Sequence, residues 1–245
     1  MKDHFGAVSG DYAAFRPTYP GALFDALTAI APARRTAWDC ATGSGQAAVA
    51  LASRFTRVVA SDGSMPQLAS ARRHPGVAYV QARAEAAPLA SGSIDLVTVA
   101  QALHWLDIDA FWGEARRVLV PGGVVAVWCY NLCQIAPAID VIVDRYYTDT
   151  VGPCWPPERD LVVKGYQTVP FPFTEVRVAA PEITASLTLP EFLGFLGTWS
   201  ATQRYRAARG IDPLPPLGAS LDPIWGPAAT RREVRWPLSL RVGRV

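Results

Sequence analysis

Two acids and two glycines at fixed separations carry most of the chemistry legible in this chain. Asp39-Cys-Ala-Thr-Gly43-Ser-Gly45-Gln46 falls where a short apolar run, Ala37-Trp38-Asp39-Cys40, gives way to a helix-forming stretch, Ala47-Ala48-Val49-Ala50-Leu51-Ala52. Glycine suits a place where a strand must turn sharply into a helix and a ligand must approach the backbone amides. Asp62 lies 17 residues beyond Gly45 and closes a second apolar run, Val58-Val59-Ala60-Ser61-Asp62. At the tip of the second strand of an α/β sheet, a carboxylate at that distance suits the paired hydroxyls of a ribose. The spacing predicts a nucleoside-cofactor site.

The charge around the glycines bears on which nucleoside. Gly43-Ser44-Gly45-Gln46-Ala47-Ala48 can be fitted to the dinucleotide fingerprint. That pattern has no use for Asp39, which would repel a pyrophosphate and instead suits a ligand bearing an ammonium or a sulfonium. S-adenosylmethionine (SAM) carries both, together with a ribose. A nicotinamide oxidoreductase is one alternative, opposed by Asp39 and by the lack of a Tyr-x-x-x-Lys pair. A protein that binds SAM without transferring its methyl is another. For methyl transfer, the protein must align nucleophile, methyl carbon and sulfur and exclude water. A carboxylate acceptor needs no general base, whereas a phenol or alcohol usually does, most often a histidine. His104, followed by Trp105, is thus the candidate catalytic residue. It could act as a base or as a hydrogen-bond donor to a substrate carboxylate, or it could be architecture at a helix start.

Six segments in register carry a family resemblance. They are Tyr12-Ala-Ala-Phe-Arg16-Pro-Thr-Tyr19-Pro20, the Asp39–Gly45 motif, Asp62-Gly-Ser64-Met65, Ala84-Glu85-Ala-Ala-Pro88, the run from Ile94 through Ala100-Gln101 to His104-Trp105, and Arg117 through Pro121-Gly122-Gly123. From about Phe5 to Trp128 the chain resembles class I SAM-dependent methyltransferases, specifically the trans-aconitate and juvenile-hormone-acid type small-molecule branch. The tail, at Thr198–Tyr205 and Val234–Val245, is similar to the same branch. The resemblance implies a leader folded over the donor, with Tyr12, Arg16 and Tyr19 near it. Arginine is well suited to binding a carboxylate with both arms. The same resemblance implies cofactor contacts from Asp39, Ala41, Gly43 and Gly45, and from Asp62 at the ribose. Gly63 and Met65 would flank the adenine, with Ala84 and Glu85 at its edge and Ala100 and Gln101 at the end of the fourth strand. Arg83 stands where the wider superfamily carries an Asp, so adenine recognition would rest on backbone or on Glu85. Acceptor contacts are expected from Trp105, Tyr130, Trp199, Gln203 and Arg204, with Trp128 and Trp155 nearby. Trp199 and Gln203, like Ser200 and Arg204, stand one helical turn apart.

Alternation of short apolar runs with helical patterns predicts βαβ units and a doubly wound, mostly parallel sheet. The resemblance makes it a seven-stranded, Rossmann-like sheet with an inserted helical cap. Strands are expected at 36–40, 58–62, 77–81, 94–100 and 124–129, and helices at 20–31, 44–54, 64–73 and 108–119. Residues 1–133 read as the SAM-binding core with an N-terminal lid. Residues 134–230 read as a substrate cap interleaved with a late strand near 172–180, and 231–245 as the final strand of the core. Ser64 is expected to cap the helix opened by Met65-Pro66, and His74 to lie at that helix's end. Charged residues are 18% of the 245 and the net charge is +2, with no long basic run, so no nucleic-acid partner is expected. Four cysteines without a C-x-x-C pair and three histidines point away from a metal site. The uncharged stretch Val118–Ile139 is broken by Pro121-Gly122-Gly123 and Pro137, so no membrane span is expected. With no signal-like apolar core at the N-terminus, the expectation is a cytoplasmic monomer or homodimer acting on a small-molecule acceptor.

Overall fold

The structure, a computed structural model, describes residues 15–227 and 229–245. Its frame is a seven-stranded sheet built from β1 (Thr36–Cys40), β2 (Arg57–Asp62), β3 (Val77–Gln81), β4 (Ile94–Ala100), β5 (Leu119–Tyr130), β6 (Thr174–Glu175) and β9 (Leu238–Arg244). The order is β3-β2-β1-β4-β5-β9-β6, with the first five strands parallel and β9 antiparallel to both β5 and β6. β1 and β4 are almost wholly buried, as strands covered by helices on both faces must be. The helices α1 (Gly21–Ile30), α2 (Gln46–Ala52), α3 (Met65–Ser70) and α4 (Ile108–Val118) occupy the positions expected of them. Strand order reverses between β1 and β4, and this is where open α/β sheets form a ligand crevice outside the carboxyl ends of their strands.

A second layer sits over that edge. It comprises α5 (Pro137–Arg145), α6 (Arg159–Val163), α7 (Leu189–Gly197), α8 (Ser200–Arg209), α9 (Leu214–Trp225) and a separate antiparallel ribbon of β7 (Ile183–Leu187) with β8 (Arg232–Trp236). Its core is aromatic. Phe192 stacks on Trp225 at 5.4 Å and Phe195 meets Trp236 edge-on at 5.1 Å, all four fully buried. Such a ring gives large apolar burial, about 2–3 kcal/mol per side chain. Thr188 and Glu191 close the start of α7 in a reciprocal capping box.

Four local expectations need correction. The segment 231–245 is two strands, because Pro237 between β8 and β9 has no amide to continue a ladder; only β9 enters the main sheet. Pro121-Gly122-Gly123 does not precede β5 but bulges out within it, so the register jumps from Ile94 opposite Leu119 to Leu96 opposite Val124. Ser64 occupies the N-cap position of α3, yet its hydroxyl caps nothing; its amide is bound instead by Asp62. That helix stops at Ser70, and His74 lies beyond it in a turn, where Nδ1 accepts the Gly76 amide at 3.1 Å.

Candidate functional site

The loop after β1 is shaped by three left-handed residues in five positions: Ala41 (φ 53°), Gly43 (54°) and Gly45 (79°). Alanine in this region costs about 1–2 kcal/mol, and the strain falls on a residue that lines the crevice. Asp39 lies underneath the loop, with no exposed surface. Its two oxygens accept hydrogen bonds from Thr42 Oγ1 (2.5 Å) and Thr98 Oγ1 (2.8 Å). Burial pushes its carboxyl up to about 6 against these bonds. Asp62, at the end of β2, accepts the Gly43 amide at 2.9 Å and the Ser64 amide at 2.8 Å. It thereby joins the loops after β1 and β2.

β4 is followed by Gln101, also left-handed at φ 56°. Its side-chain amide donates to the Tyr130 carbonyl at 3.0 Å and accepts the Tyr130 amide at 2.7 Å, extending the β4–β5 pairing by side chain. The following 3₁₀ turn, Leu103–Trp105, carries His104, which is 8% exposed. His104 Nδ1 lies 2.8 Å from the Tyr166 hydroxyl. Burial lowers the imidazole to about 3, with the positive charges of Arg159 and Arg16 adding to the effect, so the ring is neutral at ordinary pH.

Two adjoining cavities fill the crevice. The larger, about 390 Å³, is lined by Arg16, Tyr19, Ala41, Gly43, Asp62, Ala100, Gln101, His104, Trp105, Tyr130 and Trp199, as well as by Trp155 and Arg159. The smaller, about 240 Å³, has Gly63, Ala84, Glu85 and Arg83 in its wall and shares Ala41, Asp62, Trp105 and Leu106 with the larger. Asp62 therefore stands at their junction. Glu85 accepts the Asp107 amide at 3.1 Å and pairs with Arg83 at 3.2 Å. Six expected residues are elsewhere or not described. Asp39 is beneath the floor and Gly45 is packed against Tyr79, while Met65 is 56% exposed outside both cavities. Gln203 turns back to the Gly197 carbonyl at 2.6 Å, and neither it nor Arg204 is among the residues lining the crevice. Tyr12 lies outside the described residues. Trp128 is also absent from the wall: it is core, edge-on to Tyr19 at 5.4 Å.

Sequence reasoning missed Arg159. Its guanidinium lies 4.5 Å from the Trp155 ring centroid and 5.5 Å from that of Tyr147, donates to Tyr147 Oη at 3.2 Å and bonds Asn131 Oδ1. The available signal was Trp155 standing four residues before an arginine in a proline-rich turn. Arg16 reaches the same cavity from the leader, held by Tyr130 Oη at 2.9 Å and the Thr198 carbonyl at 3.2 Å.

A doubly wound sheet with an acid at the tip of β2 and a glycine loop after β1 defines a nucleoside-binding α/β protein. Comparison with known proteins narrows that class. A methyltransferase-domain family model matches residues 38–127. A methyltransferase of provisional assignment from Dictyostelium discoideum is 33% identical over 223 residues, covering 89% of this chain and 85% of the relative. A solved structure from Anaeromyxobacter dehalogenans, provisionally assigned as a type II methyltransferase, is 46% identical with a TM-score of 0.88, covering 94% of this chain and 98% of that one. A malonyl-[acyl-carrier protein] O-methyltransferase from Enterobacter lignolyticus is 43% identical over 109 residues, 42% of each chain. This chain belongs to the class I SAM-dependent methyltransferases, and SAM is its methyl donor. Among the described residues no helix is long and apolar enough to cross a membrane.

The buried acid and the buried imidazole give opposite pH dependences. Asp39 binds its proton more tightly folded than unfolded, so its contribution to stability falls as pH rises from about 4 to about 6. His104 binds its proton less tightly folded, so its contribution rises with pH from about 3 to about 6.5. The two slopes offset one another near pH 5. Urea unfolding at several pH values should show wild type losing stability relative to Asp39→Asn between pH 4 and 6, and gaining relative to His104→Gln. Parallel curves for all three proteins would show that neither group is held as described.

Proposed function

We propose that the chain transfers the methyl group of SAM to an oxygen, carboxylate or hydroxyl, of a small-molecule acceptor. The observation that carries this is the pairing in one cavity of Arg16 and Arg159 with His104 and an aromatic wall of Trp155, Trp199 and Tyr130. Two guanidiniums in a partly apolar chamber suit an apolar molecule with an anionic oxygen. The O-methyltransferase named among the relatives favours the same chemistry.

The residues present fit the donor. Asp62 accepts the Gly43 and Ser64 amides at the end of β2, the place where a carboxylate suits the paired hydroxyls of a ribose. The smaller cavity, between Gly63, Ala84-Glu85 and Leu106, is placed for the adenine. Asp39, beneath the floor, would act on the donor's cationic end through the field of its charge rather than by contact. When bound, SAM supplies a methyl already activated by the positive sulfur. The chain aligns the acceptor oxygen, keeps water out behind Trp105 and Tyr19, and balances anionic charge with Arg16 and Arg159.

Calorimetric titration with SAM, S-adenosylhomocysteine and NADH tests the donor site, and binding of the first two alone is expected. Turnover of 3-phenylpropanoate against 3-phenylpropanol then tests the acceptor class. Arg159→Ala should raise KM for the acid roughly tenfold or more, since a hydrogen bond to a charged group contributes about 1.5–3 kcal/mol, and should leave SAM affinity unchanged. An Arg159→Ala protein with wild-type KM for every accepted substrate would remove Arg159 from the acceptor site.

A further inference from the structure

One short helix links Arg159, which shares the cavity wall with His104, to Tyr166, which meets the His104 ring. Arg159 opens α6. Past its other end the chain closes with Gly165 N to Val162 O at 2.9 Å and Tyr166 N to Leu161 O at 2.8 Å, with Gly165 and Tyr166 both left-handed. Arg241 fixes this corner by donating to the Tyr166 and Val169 carbonyls at 2.9 and 2.6 Å. The result is a fully buried Tyr166 whose hydroxyl lies 2.8 Å from His104 Nδ1.

Proton bookkeeping in this pair has one satisfactory solution. Tyr166 is fully buried, so its hydroxyl hydrogen must meet an acceptor inside the protein. Among the described residues His104 Nδ1 is the side-chain acceptor within reach. Were Nδ1 protonated, the tyrosine hydrogen would be buried without a partner, which folded proteins avoid. The imidazole is neutral, so it carries a single proton. We infer that Tyr166 is a positioning residue that holds His104 as the Nε2–H tautomer, so that His104 donates a hydrogen bond into the acceptor cavity and does not act as a general base. The inference about the cavity rests on the methyl-transfer reading above, but the tautomer itself does not. It follows that the acceptor oxygen reaches His104 already ionised, and that no proton passes to the ring during turnover.

The test is a long-range proton–nitrogen correlation spectrum of protein labelled with ¹⁵N-histidine. The chain has three histidines, so loss of one pattern in His104→Gln assigns the ring. The expected pattern is protonated Nε2 and bare Nδ1 between about pH 6 and 8, free and with S-adenosylhomocysteine. Protonated Nδ1, or averaging between tautomers in the wild type, would overturn the proposal. Tyr166→Phe should show such averaging, with turnover lowered roughly tenfold and SAM affinity kept. If that variant fails to fold, a second pair decides. His104→Gln, whose amide can donate from near the Nε2 position, should retain more turnover than His104→Asn, and equal losses would refute the donor role. Failure to bind SAM would instead refute the methyl-transfer reading while leaving the wild-type spectrum interpretable.

Discussion

Asp62→Ala should weaken S-adenosylhomocysteine binding about a hundredfold or more. Two charge-assisted hydrogen bonds to ribose hydroxyls, at about 1.5–3 kcal/mol each, set that scale. A second loss adds to it, because the same carboxylate ties the Gly43 and Ser64 amides together, and without it the loops after β1 and β2 are joined less firmly. Asp62→Asn separates the two. Its single amide oxygen can hold one backbone amide but presents a donor to the other, so it should bind more weakly than wild type and better than alanine. Calorimetry at constant ionic strength reads the affinities, and unchanged affinity in Asp62→Ala would dismiss the ribose assignment.

Gly45→Ala should destabilise the fold by about 3 kcal/mol and abolish turnover. The backbone at φ 79° disfavours any Cβ, by about 1–2 kcal/mol. Here a Cβ would also overlap Tyr79 Oη and lie 3.2 Å from its Cζ. Tyr79 cannot easily withdraw, because its hydroxyl donates to the Arg72 carbonyl at 2.5 Å and Arg73 lies over its ring at 5.4 Å. Adding Tyr79→Phe removes the clashing oxygen but leaves the backbone strain, so the double variant should recover part of the loss. Chemical denaturation of the four proteins of this cycle gives the coupling directly. Strict additivity would show that the glycine is required by its backbone alone.

The frame of the molecule was legible because period and turn chemistry act locally. Trp38 to Cys40 reads as a buried strand and Gly43 to Gly45 as a turn from residue type alone, and both are where the pattern places them. The cap was legible only as a change of rhythm. Arg204 has the right chemistry and helical spacing for the crevice, yet it is not among the lining residues, and Arg159 reaches the cavity from a five-residue helix with no periodic signature of its own. Gln101 shows a different limit. Its position at the rim was correctly read, but a side-chain amide that completes a β-ladder to Tyr130 has no sequence signal distinguishing it from one that meets a ligand. Tyr166 was invisible for a similar reason, since its contact with His104 spans 62 residues and depends on a left-handed corner.

Pro237 is the whole connection between the ribbon of the second layer and the last strand of the main sheet. Gln134 and Arg235 pair backbone to backbone just before it, at 2.8 and 2.9 Å, tying the outgoing chain to the returning one. A hinged domain requires a linker with slack, and this joint has none. A rotation of the ribbon about this joint would have to break the Gln134–Arg235 pairing. Lengthening the Pro237 joint with a few glycines would uncouple the position of the ribbon from that of β9.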